Sequence, residues 1–421
     1  MSERVAILGA GVSGQAAARL VESLGQEPVL YDQNGHGDSE LFTESELAKC
    51  GAIILSPGLA SRHPWRQLVE RSEKPCYGEV GYAARHWKGK IIAITGTNGK
   101  STLTKVMTEA LHAAGETAVA TGNIGYPFSD AVLSGQNIKG AFAIVEVSSF
   151  QAEFPFGLKI DGLIWTNFAE DHLDRYESMS AYFAAKANLF HCLREESVCV
   201  VGSQVSYWMR LQNCEFNACS VVSEDSLLLE KLAENSPFKQ FPQTENFSLL
   251  AELWWMLNLP EKALIETANF FVPAAHRLKC EATWQGISFW NDSKATNFHA
   301  TLAALTGLTG PIFWIGGGQM KGGNVEAFAK QVAIHISGAF VYGEAGSRVA
   351  AELKKLGCPV VYEEYLEGAV FAAVSAARGV DSANVLLSPG FSSFDQFSDY
   401  ESRGKCFIST VLGLNGAQVI Q

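Results

Sequence analysis

The sequence predicts an α/β protein of three units in series: a Rossmann-like N-terminal unit, a central P-loop ATPase-like unit with a parallel sheet, and a C-terminal Rossmann-like unit. Three observations predict it. An apolar run over residues 4–8 meets the turn Gly9-Ala10-Gly11-Val12-Ser13-Gly14. A second run, 91–95, meets Gly96-Thr97-Asn98-Gly99-Lys100-Ser101-Thr102. Beyond residue 276, short apolar runs alternate with alanine-rich stretches of helical length. A short apolar run that ends in glycine and opens a helical pattern reads as a buried parallel strand feeding a crossover helix.

In the first unit, residues 4–8 form a strand, an alanine-rich helix runs to about Leu24, and a second strand ends at Tyr31–Asp32. A third run, 52–55, stops at Ser56-Pro57-Gly58, and the unit closes near residue 89. The central unit, 90–275, places strands at 143–147, 162–166 and 198–200 and a helix at 179–193. The polar stretch 202–245 has no clear element, and a helix follows at 247–257. The third unit, 276–421, places strands at 287–290, 311–315, 339–342, 359–362 and 384–387, with a helix over 296–305.

Composition narrows the function classes. A chain of 421 residues has room for two to four domains, and 47% apolar with 18% charged residues suits globular cores. The formal charge of −12 argues against nucleic acid as a partner, although local Lys and Arg can still line a positive cleft. No stretch reaches membrane-spanning length free of charge, and the early first strand leaves no signal peptide in view. The nine cysteines show no CxxC pair or metal spacing, so reduced thiols in a cytoplasmic setting are the expectation; a monomer is expected as well.

The 96–102 turn is the most specific signal. Gly96 and Gly99 allow a tight backbone beside a ligand, and the N–H groups at a helix start favour an anion. Lys100 is placed to reach nucleotide phosphates, and Ser101 or Thr102 to offer a hydroxyl to Mg²⁺. The full Walker pattern wants glycine five positions before Gly99, where Ile94 stands. The first turn, 9–14, is weaker. It fits the diphosphate of a sugar nucleotide, that of a dinucleotide, or no ligand, with Asp32 placed to hold a ribose hydroxyl.

Further polar groups follow strand ends. Glu146, at the end of its strand, suits Mg²⁺. His172, in the cluster 166–176, is a natural neutral metal ligand. Lys186 is a lone lysine on an apolar helix, which reads first as a snorkelling side chain at a domain rim. In the third unit, Asn291–Asn297 with Asp292 and Lys294, the glycines around Lys321, and the serine-rich run 388–397 suggest an anion-binding substrate site.

Together, Gly96–Thr102, Gly122-Asn123-Ile124-Gly125, Glu146–Gln151, Asn167–Tyr176, Asn291–Asn297, Gly317–Gly322 and Ser388–Gly404 resemble the Mur ligases. The resemblance extends from Val5 to the C-terminus and is nearest to the branch that adds D-glutamate to UDP-N-acetylmuramoyl-L-alanine. It implies an ATP-dependent ligase of peptidoglycan precursor synthesis that works through an acyl phosphate.

It implies site residues as well. Gly11, Val12, Ser13, Asp32 and Ser56 would face the uridine nucleotide, with Asn123 and His172 by its muramoyl-alanine end. Gly96, Thr97, Asn98, Gly99, Lys100, Ser101, Thr102, Asn246, Arg277 and Asp292 would attend ATP or its transferred phosphate. Glu146 with Ser101 or Thr102 would hold one Mg²⁺, and His172 with a carbamylated Lys186 a second. Lys100, His172, Lys186 and Lys294 would be the catalytic set. Thr296, Lys321, Ser393, Phe394 and Tyr400 would frame D-glutamate. The chain departs from the family pattern at Glu245, Leu249, Asn324, Gly390-Phe391 and Tyr400, which bears on nucleotide and amino-acid selectivity. Rival readings are another Mur-type or folylpolyglutamate-type ligase, a nucleotide-binding dehydrogenase, and a non-catalytic binding protein.

Overall fold

The structure is a computed structural model, and it describes residues 3–214, 216, 219–222, 226–414 and 416–419. The described strands form three sheets. The first contains β1 (Arg4–Leu8), β2 (Glu27–Tyr31), β3 (Ala52–Leu55) and β4 (Cys76–Gly78), all parallel in the order β2-β1-β3-β4. The second contains β5 (Lys90–Thr95), β6 (Ala118–Gly122), β7 (Phe142–Glu146), β8 (Ile160–Trp165), β9 (Leu193–Gly202) and β10 (Cys219–Val222). These are also parallel, in the order β10-β9-β8-β5-β7-β6.

The third sheet contains β11 (Lys279–Trp284), β12 (Ile287–Asn291), β13 (Ile312–Gly317), β14 (Gly338–Tyr342), β15 (Val360–Glu363), β16 (Asn384–Gly390) and β17 (Gln418–Val419). Its order is β15-β14-β13-β16-β12-β11-β17. The run from β15 to β12 is parallel, whereas β11 pairs antiparallel with β12 and β17. Gln285 and Gly286 both take positive φ (48° and 81°) at the β11–β12 hairpin, as a tight turn between twisted strands requires.

Contacts group the chain into two compact units. The first holds residues 1–168, 178–238 and 245–271, and so contains two sheets; the second holds 169–177, 239–244 and 272–421. In the first unit, helix Lys100–Ala113 and helices Gln243–Met256 and Glu261–Phe270 pack with the second sheet around Ile92, Leu103, Met107, Phe247, Leu250 and Trp254. The two sheets of this unit are tied by Arg19 bidentate to Asp130 (2.8–3.0 Å) and by Arg66 to Glu153 (2.5 Å). Glu79 is buried between helices Glu79–Ala84 and Phe128–Leu133, and its Oε1 accepts from Ser129 N at 2.6 Å.

The structure corrects several expectations. The 179–193 helix ends at Ala187, a 3₁₀ turn fills Asn188–Cys192, and β9 then runs ten residues where three were expected. Strands β4, β6, β10, β11 and β17 were not expected. Where reduced thiols were expected throughout, Cys199 and Cys219 face each other in register across β9 and β10 and are paired as disulfide partners in geometry. The other seven cysteines are free. Among the described residues, no helix is long and apolar enough to cross a membrane.

Candidate functional site: the strand-end loops

In the second sheet the chain leaves β5 toward β6 but leaves β8 toward β9, on the opposite side. The crevice between the carboxyl ends of β5 and β8 is therefore a topological switch point, where α/β sheets bind ligands. The 96–102 loop opens from β5 at this crevice. Gly99, with φ of 85°, is the N-cap of helix Lys100–Ala113 and provides no side-chain cap, and a helix N-terminus is a setting that favours an anion. A methyl group at Gly96 would strike Thr166 Oγ1, and one at Gly99 would strike Asn246 Oδ1. Glycine is demanded here by both backbone sign and space.

Residues just past β8 hold the loop. Asn167 accepts from Asn98 N through its side chain (2.8 Å) and from Thr97 N through its carbonyl (3.1 Å), while Thr166 Oγ1 donates to Asn98 O (2.6 Å). The cluster 166–176 was expected at a strand end, but Thr166 and Asn167 were given no role of their own. Their place immediately after a strand, opposite the glycine loop, is the signal that could have found them. They also line a pocket with Gly202, Gln204, Glu245 and Leu249, so two departures from the family pattern fall together beside the loop.

Two lysines converge on one carbonyl. Lys100 Nζ donates to Gly96 O and Thr97 O, each at 2.9 Å, and Lys186 Nζ donates to Gly96 O (3.0 Å) and Thr95 Oγ1 (3.2 Å). Lys186 is 1% exposed and lies 5.2 Å from the Tyr182 ring centroid. This overturns its reading as a snorkelling rim residue: the helix turns it inward against the 96–102 loop.

Glu146 ends β7, in register with Ile94 of β5. It is 2% exposed. Its Oε1 accepts from Asn123 Nδ2 at 2.8 Å, and Asn123 N also donates to Glu146 O (2.9 Å). Glu146 Oε2 is buried without a hydrogen-bond partner. Burial of such an oxygen is costly unless a cation meets it. The donor set of one carboxylate and the hydroxyls of Ser101 and Thr102 is hard oxygen, which fits Mg²⁺. No three His, Cys, Asp or Glu side chains among the described residues form a metal cage. Magnesium sites completed by phosphate and water have that sparse protein contribution.

In the first sheet, the 9–14 turn lies at the β1–β3 switch point. Gly9 (φ 105°) passes so close to Ser56 that a Cβ would come within 2.6 Å of the serine Cβ. Asp32 Oδ2 accepts from Ala10 N (3.0 Å) and Oδ1 from Asn34 N (2.9 Å). Those bonds hold its carboxyl below the usual range and make it a brace for the turn. Val12 is 76% exposed at the helix start beside Gly11 and Ser13.

The second unit assembles its own site from loops after β12, β13 and β16 together with residues 169–177, so His172 belongs here and Lys186 to the first unit. Glu170, His172, Thr296, Lys321, Gly390 and Phe391 line one cleft. Asn297 caps helix Phe298–Gly307 through Ala300 N, and its Nδ2 donates to Asp171 Oδ2 (3.0 Å). Lys294 Nζ stands 3.6 Å from the Tyr400 ring centroid, a cation–π contact.

Asp292 is buried and accepts from Leu278 N (3.0 Å) and Ser388 Oγ (2.8 Å). Burial pushes its carboxyl up to about 7, against the opposing pull of the Ser388 hydrogen bond. His276, buried beside Asn291 Nδ2 (2.9 Å), is shifted down by desolvation and favours the neutral ring. Arg277 lies near enough to Asp292 to favour its charged form. Ser393 is buried, whereas Phe394 is exposed at the loop tip.

Comparison with known proteins adds the following. Residues 94–249 match the Mur ligase middle domain. The UDP-N-acetylmuramoylalanine–D-glutamate ligase of Trichormus variabilis is 32% identical over 98% of this chain and 99% of its own length. The protein of the same name from Nostoc sp. is 33% identical over 97% of each. In fold, the chain is similar to UDP-N-acetylmuramate–alanine ligase from Thermotoga maritima (TM-score 0.57, 16% identity, 96% and 98% of the two chains). It is also similar to MurF from Acinetobacter baumannii (TM-score 0.59, 13% identity, 94% and 98%).

Proposed function

Because this chain belongs to the Mur ligase family of ATP-dependent ligases, we propose that it joins D-glutamate to the alanyl carboxylate of UDP-N-acetylmuramoyl-L-alanine. The observation that supports this most directly is the phosphate loop with a half-satisfied buried carboxylate beside it: Lys100, two hydroxyls and Glu146 Oε2 at one sheet edge. A dehydrogenase has no use for that set.

The chemistry has a physical logic. A carboxylate is a poor acyl donor, so its oxygen first attacks the γ-phosphorus of ATP, and ADP leaves. The free amine of D-glutamate then attacks the acyl carbon to give a tetrahedral centre; the C–O bond breaks, inorganic phosphate leaves with the electron pair, and the nitrogen gives up one proton to the departing phosphate. Lys100 stabilises charge on the transferring phosphoryl oxygens, and the helix-start N–H groups hold the rest of the triphosphate. Glu146 with Ser101 or Thr102 would hold Mg²⁺, which supplies further neutralisation when bound.

Residues are divided by unit in this reading. Gly11, Val12, Ser13, Asp32 and Ser56 serve the uridine nucleotide, within a first domain of 1–89. Residues 90–275 serve ATP. Thr296, Lys321, Ser393, Phe394 and Tyr400 serve the amino acid within 276–421, where Lys321 offers charge to a carboxylate.

Phosphate release tests the proposal. With UDP-N-acetylmuramoyl-L-alanine, ATP and Mg²⁺ supplied, release should depend on D-glutamate and be weak with L-glutamate or meso-diaminopimelate. Release that ignores D-glutamate removes the proposal.

A further inference from the structure

The loops of the second unit are bolted together by a side chain for which the chemistry above has no role. Arg403, in helix Tyr400–Leu412, is 0% exposed. Its Nε donates to Ser293 Oγ (3.0 Å), Nη2 to Ser293 O (2.8 Å) and Nη1 to Phe391 O (3.1 Å). Ser293 Oγ in turn donates to Tyr400 O (2.8 Å). Three of the guanidinium N–H groups are thus met by a hydroxyl and two carbonyls, with no carboxylate at ion-pair distance among the described residues. No carboxylate bonds it directly, although the buried Asp292 carboxyl feels its charge; burying a cation is costly, and an apolar side chain of similar size would fill the space at less cost. Core packing alone does not account for it.

Its acceptors do. Ser293 belongs to the loop after β12, which bears Lys294 and Thr296. Phe391 belongs to the loop after β16, which bears Ser393 and Phe394. Tyr400 is the first residue of its own helix. Four residues proposed to frame the amino acid, Thr296, Ser393, Phe394 and Tyr400, therefore lie within three positions of an atom bonded in this network. The loop after β13 is drawn in as well: a Cβ on Gly318 would stand 3.1 Å from Arg403 Nη1 and strike Ser392 O. A planar fork with fixed donor directions sets the spacing of two loops at once, which a single ammonium cannot do.

We propose that Arg403 is a positioning residue for the incoming amino acid: it never touches the substrate, yet it fixes the distance between the loops that do. This rests on the reading that those loops bind D-glutamate.

The test compares full-length wild type, Arg403→Lys and Ser293→Ala by steady-state phosphate release, with a circular-dichroism melt of each. Arg403→Lys should raise KM for D-glutamate by about 10- to 100-fold, since displacement by an ångström at a positioning contact has that scale of effect. KM for ATP should rise by a smaller factor, since Asp292 and Lys294, on the loop after β12, attend the nucleotide in the proposed reading. Ser293→Ala, which removes one of three acceptors, should raise KM for D-glutamate by a smaller factor, about 3- to 10-fold. A folded Arg403→Lys protein with unmoved KM for D-glutamate overturns the inference, as does a parallel rise in both KM values. If Arg403→Lys does not fold, Ser293→Ala decides by the same split. Wild-type release that ignores D-glutamate removes the underlying reading, whereas wild-type dependence with unmoved variants removes this inference alone.

Discussion

Asn123 shows how one side chain can be read two ways. The family resemblance implies a place at the muramoyl-alanine end of the substrate; the structure gives both its side chain and its backbone N–H to Glu146. A carboxylate oriented from behind presents its second oxygen in a fixed direction, and such supporting groups set metal affinity nearly as much as the ligands do. Asn123→Ala should therefore raise the Mg²⁺ concentration for half-maximal activity by about 10- to 100-fold. A Mg²⁺ titration at saturating ATP checks this; an unshifted midpoint would leave Asn123 without a role at the metal. Lys186 is the opposite lesson. Its apolar neighbours were plain in the sequence, but whether the ammonium reached outward or inward depended on which face of helix Met179–Ala187 meets the sheet, and that is a tertiary fact.

At the level of elements, the strand–turn–helix over 91–113 was legible because its physics is local, although its fastening by Thr166 and Asn167 was not. Gly99 takes φ of 85° and abuts Asn246, so Gly99→Ala meets both a left-handed backbone and a clash. The backbone term alone costs about 1–2 kcal/mol. Urea unfolding should show a loss of at least that size, together with a raised KM for ATP; a variant as stable as wild type would mean that the loop relaxes. The central strands β5, β7, β8, β13 and β16 were legible because burial on both faces leaves continuous apolar runs. β10 and β11 were not, since their sequences Cys-Ser-Val-Val and Lys-Cys-Glu-Ala-Thr-Trp mix polar and apolar residues as loops do. With β10 hidden, the register that brings Cys219 to Cys199 was hidden too. The loops proposed for the amino acid were legible, but the network that joins them was not, because Arg403 is 110 residues from Ser293 in sequence.

At the scale of the whole molecule, Glu79 couples folding to pH. Burial pushes its carboxyl from an ordinary 4.5 up to about 7, despite the hydrogen bond from Ser129 N. Its Oε2 and the neighbouring Ser129 Oγ are both buried without partners. The folded state binds this proton more tightly than the unfolded chain. The stabilisation is therefore complete below about pH 4.5 and is lost as pH rises through about 7. Glu79→Gln, which stays neutral, should melt above wild type at pH 8 and converge with it as pH falls toward 4.5. Melting curves with no pH-dependent gap would mean the carboxyl is hydrated. Glu79 also sits, with the Arg19–Asp130 and Arg66–Glu153 pairs, where the first two sheets share one compact unit. Three sheets need not mean three cooperative steps. Scanning calorimetry of the intact chain should resolve two endotherms, the larger spanning both N-terminal sheets, so that heat divides the protein at a seam the count of sheets would not suggest.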